Sequence, residues 1–131
     1  MTILSFRYAD TACPTAMIPA LRVLTGLSIS EIRNRVATAQ TLFEVVTFRN
    51  DWSETKYKLV QIARQIEDGS MPLTVTERIN GIDSPVPLPM LMNLIQGFRQ
   101  TELETQMDIA LETGDIDDPR DFTPSDEDWT R

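Results

Sequence analysis

Few residues in this chain are equipped for covalent chemistry. There is no histidine among its 131 residues, which removes the side chain most used for acid–base work near neutral pH and the commonest zinc ligand. A hydrolytic triad in its usual form is therefore excluded. The single cysteine, Cys13, cannot form an internal disulfide and has no imidazole to serve as its base, so it reads as a small apolar residue. The densest carboxylates, Asp115, Asp117, Asp118 and Asp121, follow the spacing of a calcium loop only in part. The glycine and the closing glutamate of such a loop are missing, and Pro119 interrupts it. The five glycines are scattered singly, so no phosphate-cradling loop exists. No cofactor, no metal and no enzymatic activity are expected.

The chemistry that remains is recognition. In the C-terminal stretch, Phe122 and Trp129 are embedded among Asp117, Asp118, Asp121, Asp126, Glu127 and Asp128, with Pro119 and Pro124 favouring an extended chain. Carboxylates can steer an encounter with a basic surface while an aromatic ring holds it. The bland alternative is a solvated tail that only aids solubility. A second candidate is the Met- and Leu-rich run Met90, Leu91, Leu94, Ile95 and Phe98, suited either to its own core or to a partner or dimer helix. A third is a basic strip of Arg33, Arg35, Arg49, Lys56, Lys58 and Arg64 with Trp52 and Tyr57 nearby, which could track single-stranded nucleic acid.

Charge argues against that third use. The formal net charge is -8 and the pI about 4.4, the opposite of what a nucleic-acid-binding surface carries. Seven acids and two bases lie in residues 114–131, against thirteen acids and ten bases before them. The composition, 41% hydrophobic and 24% charged, suits one globular domain and excludes collagen-like or disulfide-stapled scaffolds. No segment reaches the roughly 20 apolar residues of a membrane span. No signal peptide is evident in residues 1–8. With one cysteine, a reducing cytoplasm is the expected compartment.

These candidates need elements to position them. Leu4, Phe6 and Tyr8 alternate with polar residues, predicting a strand over 2–8. Met17, Ile18, Leu21 and Leu24 predict a helix stopped by Gly26, with Pro19 tolerable only in its first turn. Ser28 and Glu31 fit a capping box opening a helix over 29–37. A β-branched and aromatic run predicts a strand over 41–49. Leu59, Ile62, Ala63 and Ile66 form one stripe of a helix ending near Glu67. Alternation over 72–79 predicts a third strand, closed by Asn80-Gly81. Pro85, Pro87 and Pro89 predict a stiff linker over 82–89, then a helix over 90–113 and a disordered acidic tail over 114–131.

The run from Ala16 to Glu31, with Ile18, Ala20, Arg22, Thr25, Gly26, Leu27 and Glu31 as the clearest matches and Gly69 further on, resembles the first helical hairpin of the C-terminal domain of the bacterial ribosomal stalk protein. The resemblance spans residues 3–79. It implies an α+β domain over 1–81, ordered β-α-α-β-α-β, with a three-stranded sheet and its helices on one face. In that family lysines and an arginine of the hairpin contact translation factors. Here only Ile18 and Arg22 occupy matching positions, while Pro14, Pro19 and Ser30 stand where lysines would be. The resemblance therefore implies the fold and not the ribosomal role.

The functional expectation is a non-enzymatic protein–protein interaction module: a small acidic adaptor or inhibitor, of the kind phages encode, acting on a cytoplasmic protein partner. A homodimer through helix 90–113 belongs to that expectation. The alternative is a nucleic-acid mimic that blocks a DNA- or RNA-binding protein, and the second alternative is weak direct binding of single-stranded nucleic acid. Neither a membrane nor, in the leading reading, a nucleic acid is a partner.

Overall fold

A computed structural model describes residues 2–131. It is an α+β chain with four α-helices and one four-stranded antiparallel sheet among the described residues. The chain divides into two compact units, one ending at Leu88 and the other running from Pro89 to Arg131.

In the first unit the elements are β1 (Thr2–Tyr8), α1 (Ile18–Thr25), α2 (Ile29–Ala37), β2 (Phe43–Val46), α3 (Trp52–Glu67), β3 (Leu73–Ile79) and β4 (Ile82–Val86). The sheet order is β2-β1-β3-β4, every pair antiparallel. Period-two alternation separates its faces. Leu4, Phe6, Tyr8, Val45, Leu73, Val75 and Val86 are buried, and the ring of Phe6 stacks on its cross-strand partner Phe43 at 4.6 Å. The opposite face is mixed, with Ser5, Glu44, Thr74, Thr76, Arg78 and Asp83 in register beside Ile3, Val46 and Pro85. Phe6 and Leu73 lie in the core, whereas Val46, paired with Ile3, is half-buried on the opposite face.

The helices complete that core with Ile18, Leu21, Leu24, Ile32, Val36, Leu59, Ile62 and Ala63. Pro19 sits within the first turn of α1, where its missing N–H costs nothing. Gly26 ends the helix at φ 72°, a conformation that other residues adopt only with strain. Ser28 Oγ accepts from the Glu31 N–H at 3.2 Å. The reciprocal half of the capping box is not made: Glu31 turns to Arg35 at 3.3 Å.

Five expectations are corrected in this unit and at its boundary. The sheet has four strands rather than three, and the segment 82–89 expected to be a linker supplies the fourth. Asn80 (φ 53°) and Gly81 (φ 78°) form a two-residue turn that pairs Ile79 with Ile82, the geometry that an Asn-Gly dipeptide favours. Pro85 is tolerated because β4 is an edge strand. The first unit accordingly extends to Leu88 instead of ending at residue 81, and the following helix, α4, begins at Leu88. In β2, only Phe43–Val46 of the predicted 41–49 run is a strand.

The second unit is α4 (Leu88–Thr113) and the chain after it. The stretch expected to be disordered is folded. Gly114, at φ 79°, ends the helix, Ile116 N–H donates to the Ala110 carbonyl at 3.3 Å, and a short 3-10 turn covers Pro119–Asp121. Trp129 is only 3% exposed. Burying an indole offsets ordering entropy that a purely polar tail could not.

Candidate functional site

The second unit is held together by polar contacts that no local pattern announces. Arg99, Glu102 and Gln106 lie at i, i+3 and i+7, hence on one side of α4. Arg99 is 5% exposed. Its Nη1 donates to Asp126 Oδ1 at 3.0 Å and to Glu102 Oε1 at 3.3 Å, and its Nη2 donates to the Asp126 carbonyl at 3.3 Å. Gln106 Nε2 donates to the same Asp126 oxygen at 3.0 Å, while its Oε1 accepts from the Ser125 N–H at 3.2 Å. The Trp129 indole N–H donates to the Glu102 carboxylate. Burial opposes the charge on Arg99, but the hydrogen bonds and charges of Asp126 and Glu102 outweigh it and hold its pKa above the ordinary arginine value. The clamp thus has a permanent cation at its centre.

The seven carboxylates of the tail fall into two classes. Asp118 pairs with Arg120 at 2.7 Å, Asp126 with Arg99 at 3.0 Å, and Asp128 with Arg131 at 3.6 Å. Asp115, Asp117, Asp121 and Glu127 have no ion-pair partner among the described residues. Two of the unpaired four, Asp115 and Asp121, stand at a cleft of about 400 Å³ between α4 and the tail, walled by Ile109, Ala110, Ile116 and Phe122. Phe122 is half-buried and Ile109 is 54% exposed. Along α4, Glu104, Asp108 and Glu112 are exposed and recur every four residues. That line places like charges about 6 Å apart along a rigid helix.

The structure therefore brings the tail candidates Asp117, Asp118, Asp121, Phe122, Asp126, Glu127, Asp128 and Trp129 onto a folded scaffold. Trp129 is committed within this conformation, whereas Asp117, Asp121 and Glu127 face solvent. Of the helix candidates, Leu91, Ile95 and Phe98 are buried, Leu94 is half-buried and Met90 is exposed. Sequence reading missed Arg99, Glu102 and Gln106. The signal was faint: one arginine and one glutamine on the face of α4 that continues the Leu91, Ile95, Phe98 stripe.

In the first unit, the hairpin pair splits. Ile18 is 4% exposed and belongs to the core, while Arg22 is exposed beside Ser28, Ile29, Ser30 and Arg33. Val23, 88% exposed, is the most open large apolar residue of the described chain. The basic strip is not a free row. Lys56 and Trp52 are buried, Arg35 is held by Glu31 and by the carbonyls of Thr41 and Leu42, and Lys58 lies over the Phe43 ring at 5.8 Å. Cys13 is half-buried, and burial pushes its thiol above the usual range despite the Tyr8 hydrogen bond and the Arg33 charge. It is protonated at neutral pH and hence a poor nucleophile. Among the described residues no three His, Cys, Asp or Glu side chains converge as metal ligands, and no single helix is long and apolar enough to cross a membrane.

Comparison of the chain with protein-family models, with curated proteins and with solved structures returns no match.

Proposed function

We propose that this chain is a non-enzymatic protein–protein interaction module that uses its acidic second unit to engage a basic protein surface. The observation that carries the reading is the clamp: an acidic segment pinned to α4 by Asp126 and Trp129 holds Asp115, Asp117, Asp121 and Glu127 outward from a fixed support. Preorganised charges lose less entropy on binding than charges on a loose tail, so they steer and orient a partner more strongly. Within this proposal, residues 3–79 keep the stalk-like β-α-α-β-α-β order at the level of fold, with β4 as an added strand. A cytoplasmic setting and a homodimer through α4 belong to the same proposal; of the helix candidates, Met90 is exposed and Leu94 half-buried, and these two are the ones a second copy could cover.

The test is affinity capture from a bacterial lysate with the full chain and with a variant in which the four outward tail acids (Asp115→Asn/Asp117→Asn/Asp121→Asn/Glu127→Gln) and the helix row (Glu104→Gln/Asp108→Asn/Glu112→Gln) are all neutralised. A basic protein retained by the full chain at low salt, and lost on the neutralised variant or at high salt, is the expected result. Retention of nothing specific, or equal retention by both chains, overturns it.

One observation favours a second reading, the nucleic-acid mimic. Glu104, Asp108 and Glu112 form a slanted row along one side of α4, which a stand-in for a phosphate backbone requires. It predicts that the captured partner binds nucleic acid and that the full chain and an oligonucleotide compete for it; simultaneous binding of both excludes the mimic.

A further inference from the structure

Resting on the reading above, the geometry points to the cleft between the last turns of α4 and the tail as the docking pocket for a basic side chain, arginine or lysine, on a peptide segment of the partner. Three features converge there. The lining is mixed: Gln106, Thr123 and Ser125 alternate with Ile109, Ala110, Ile116 and Phe122, and the apolar part suits the aliphatic stem of a long cationic side chain. Two carboxylates, Asp115 and Asp121, stand at the cleft and have no cation of their own among the described residues. The half-buried Phe122 adds aromatic surface to the lining, which attracts a guanidinium or ammonium.

The pairing pattern makes the cleft selective. Each arginine of the second unit is already spent: Arg99 on Asp126 and Glu102, Arg120 on Asp118, Arg131 on Asp128. None of these pairs uses a carboxylate of the cleft. The unit thus satisfies its acids elsewhere and leaves unsatisfied the two beside this partly apolar lining. A volume of about 400 Å³ falls within the usual range of small binding sites. A peptide is the occupant named because the cleft is open and partly apolar, which rewards a cation with attached aliphatic surface over a bare one.

The experiment follows backbone amides of the full chain by NMR while the peptide acetyl-Gly-Arg-Leu-Lys-Gly-amide is added. Shifts centred on Ile109, Ala110, Ile116, Phe122 and Thr123 are expected. Asp115→Asn/Asp121→Asn should weaken binding about tenfold. Asp108→Asn/Glu127→Gln, which removes equal charge away from the cleft, should weaken it less than threefold. Equal losses in the two double variants would reduce the effect to bulk charge and overturn the proposal. Shifts spread over other acids, or spermidine binding as tightly at the same amides, would overturn it as well. A lysate partner that depends on Glu104, Asp108 and Glu112 but not on Asp115 and Asp121 would sink this inference alone. A peptide that docks here while no basic partner is ever captured would sink the proposed function alone.

Discussion

The two units use charge in opposite ways. Residues 1–88 contain nine acids and nine bases; residues 89–131 contain eleven acids and three bases. The whole imbalance of the protein therefore lies in its last third. In the first unit, ion pairs such as Arg35–Glu31 and Arg78–Asp83 decorate a fold already secured by an apolar core. Such exposed pairs contribute little to stability. In the second unit, a buried arginine organises the tail and the remaining acids are left in excess. The excess opposes folding. Glu104, Asp108 and Glu112 repel along one helix face, and α4 has no base in its last turn to meet the negative end of its dipole. Among the described residues, only Glu104 of the three has a local hydrogen bond, from Gln100 at 3.2 Å; under the proposed function these are the charges that a partner would neutralise.

Removing the packing anchor of each unit tests whether the contrast is one of charge alone. Phe6 and Trp129 are both buried, so Phe6→Ala and Trp129→Ala should each cost about 3–5 kcal/mol in urea unfolding. A Trp129→Ala chain as stable as the parent would show that the tail is not part of a core and would break the comparison. Next in size, Arg99→Ala leaves the Asp126 and Glu102 carboxylates without their cation. Because Asp126 is partly exposed, the loss should be about 2 kcal/mol rather than the full cost of a buried pair. Faster exchange of the Ser125 amide, whose N–H is bonded to Gln106, is its specific signature. A change in the opposite direction is expected for Asp108→Lys, which turns two like-charge neighbours into attractive ones. It should raise stability by about 0.5–1 kcal/mol while weakening partner capture. A stabilised variant with undiminished capture would separate the acidic row from function.

The smallest effect is on pH. The carboxyls of Asp68, Asp83, Asp118 and Asp128 are all held below the usual aspartate range, the first by Ser70, the second by Arg78, the third by Arg120 and the last by Thr130. A depressed pKa contributes stability that is present above the unfolded value, about 3.9, and lost as pH falls through the folded one. Thermal unfolding should therefore be level down to about pH 4 and decline below it. The raised pKa of Arg99 acts only at strongly alkaline pH and leaves this window unchanged. A decline that begins near neutrality would indicate a titrating group outside this set.

What could be read from the sequence was local. The alternation of Leu4, Phe6 and Tyr8, the Ser28 cap and the Leu59, Ile62, Ala63 stripe each follow from neighbours within one turn or one pleat, and each lies where that pattern puts it. Strand β4 is hidden because Pro85, Pro87 and Pro89 together read as a linker and mask the Asn80-Gly81 turn signal, although proline is excluded only from strands paired on both sides. The tail was misread because seven acids dominate its composition, whereas one indole and one distant arginine decide its conformation. The partners of Asp126 and Trp129 lie twenty or more residues back along the chain. No windowed pattern contains them.

Pro85 carries a last consequence. In a two-residue hairpin the Ile79–Ile82 pair exchanges hydrogen bonds, so by alternation the Thr76–Pro85 pair does not and the nitrogen of Pro85 points away from β3. A strand arriving from outside would meet a position with no proton to offer. The rim of the sheet at β4 is thereby a poorer template for a further strand than one with an unbroken row of N–H groups.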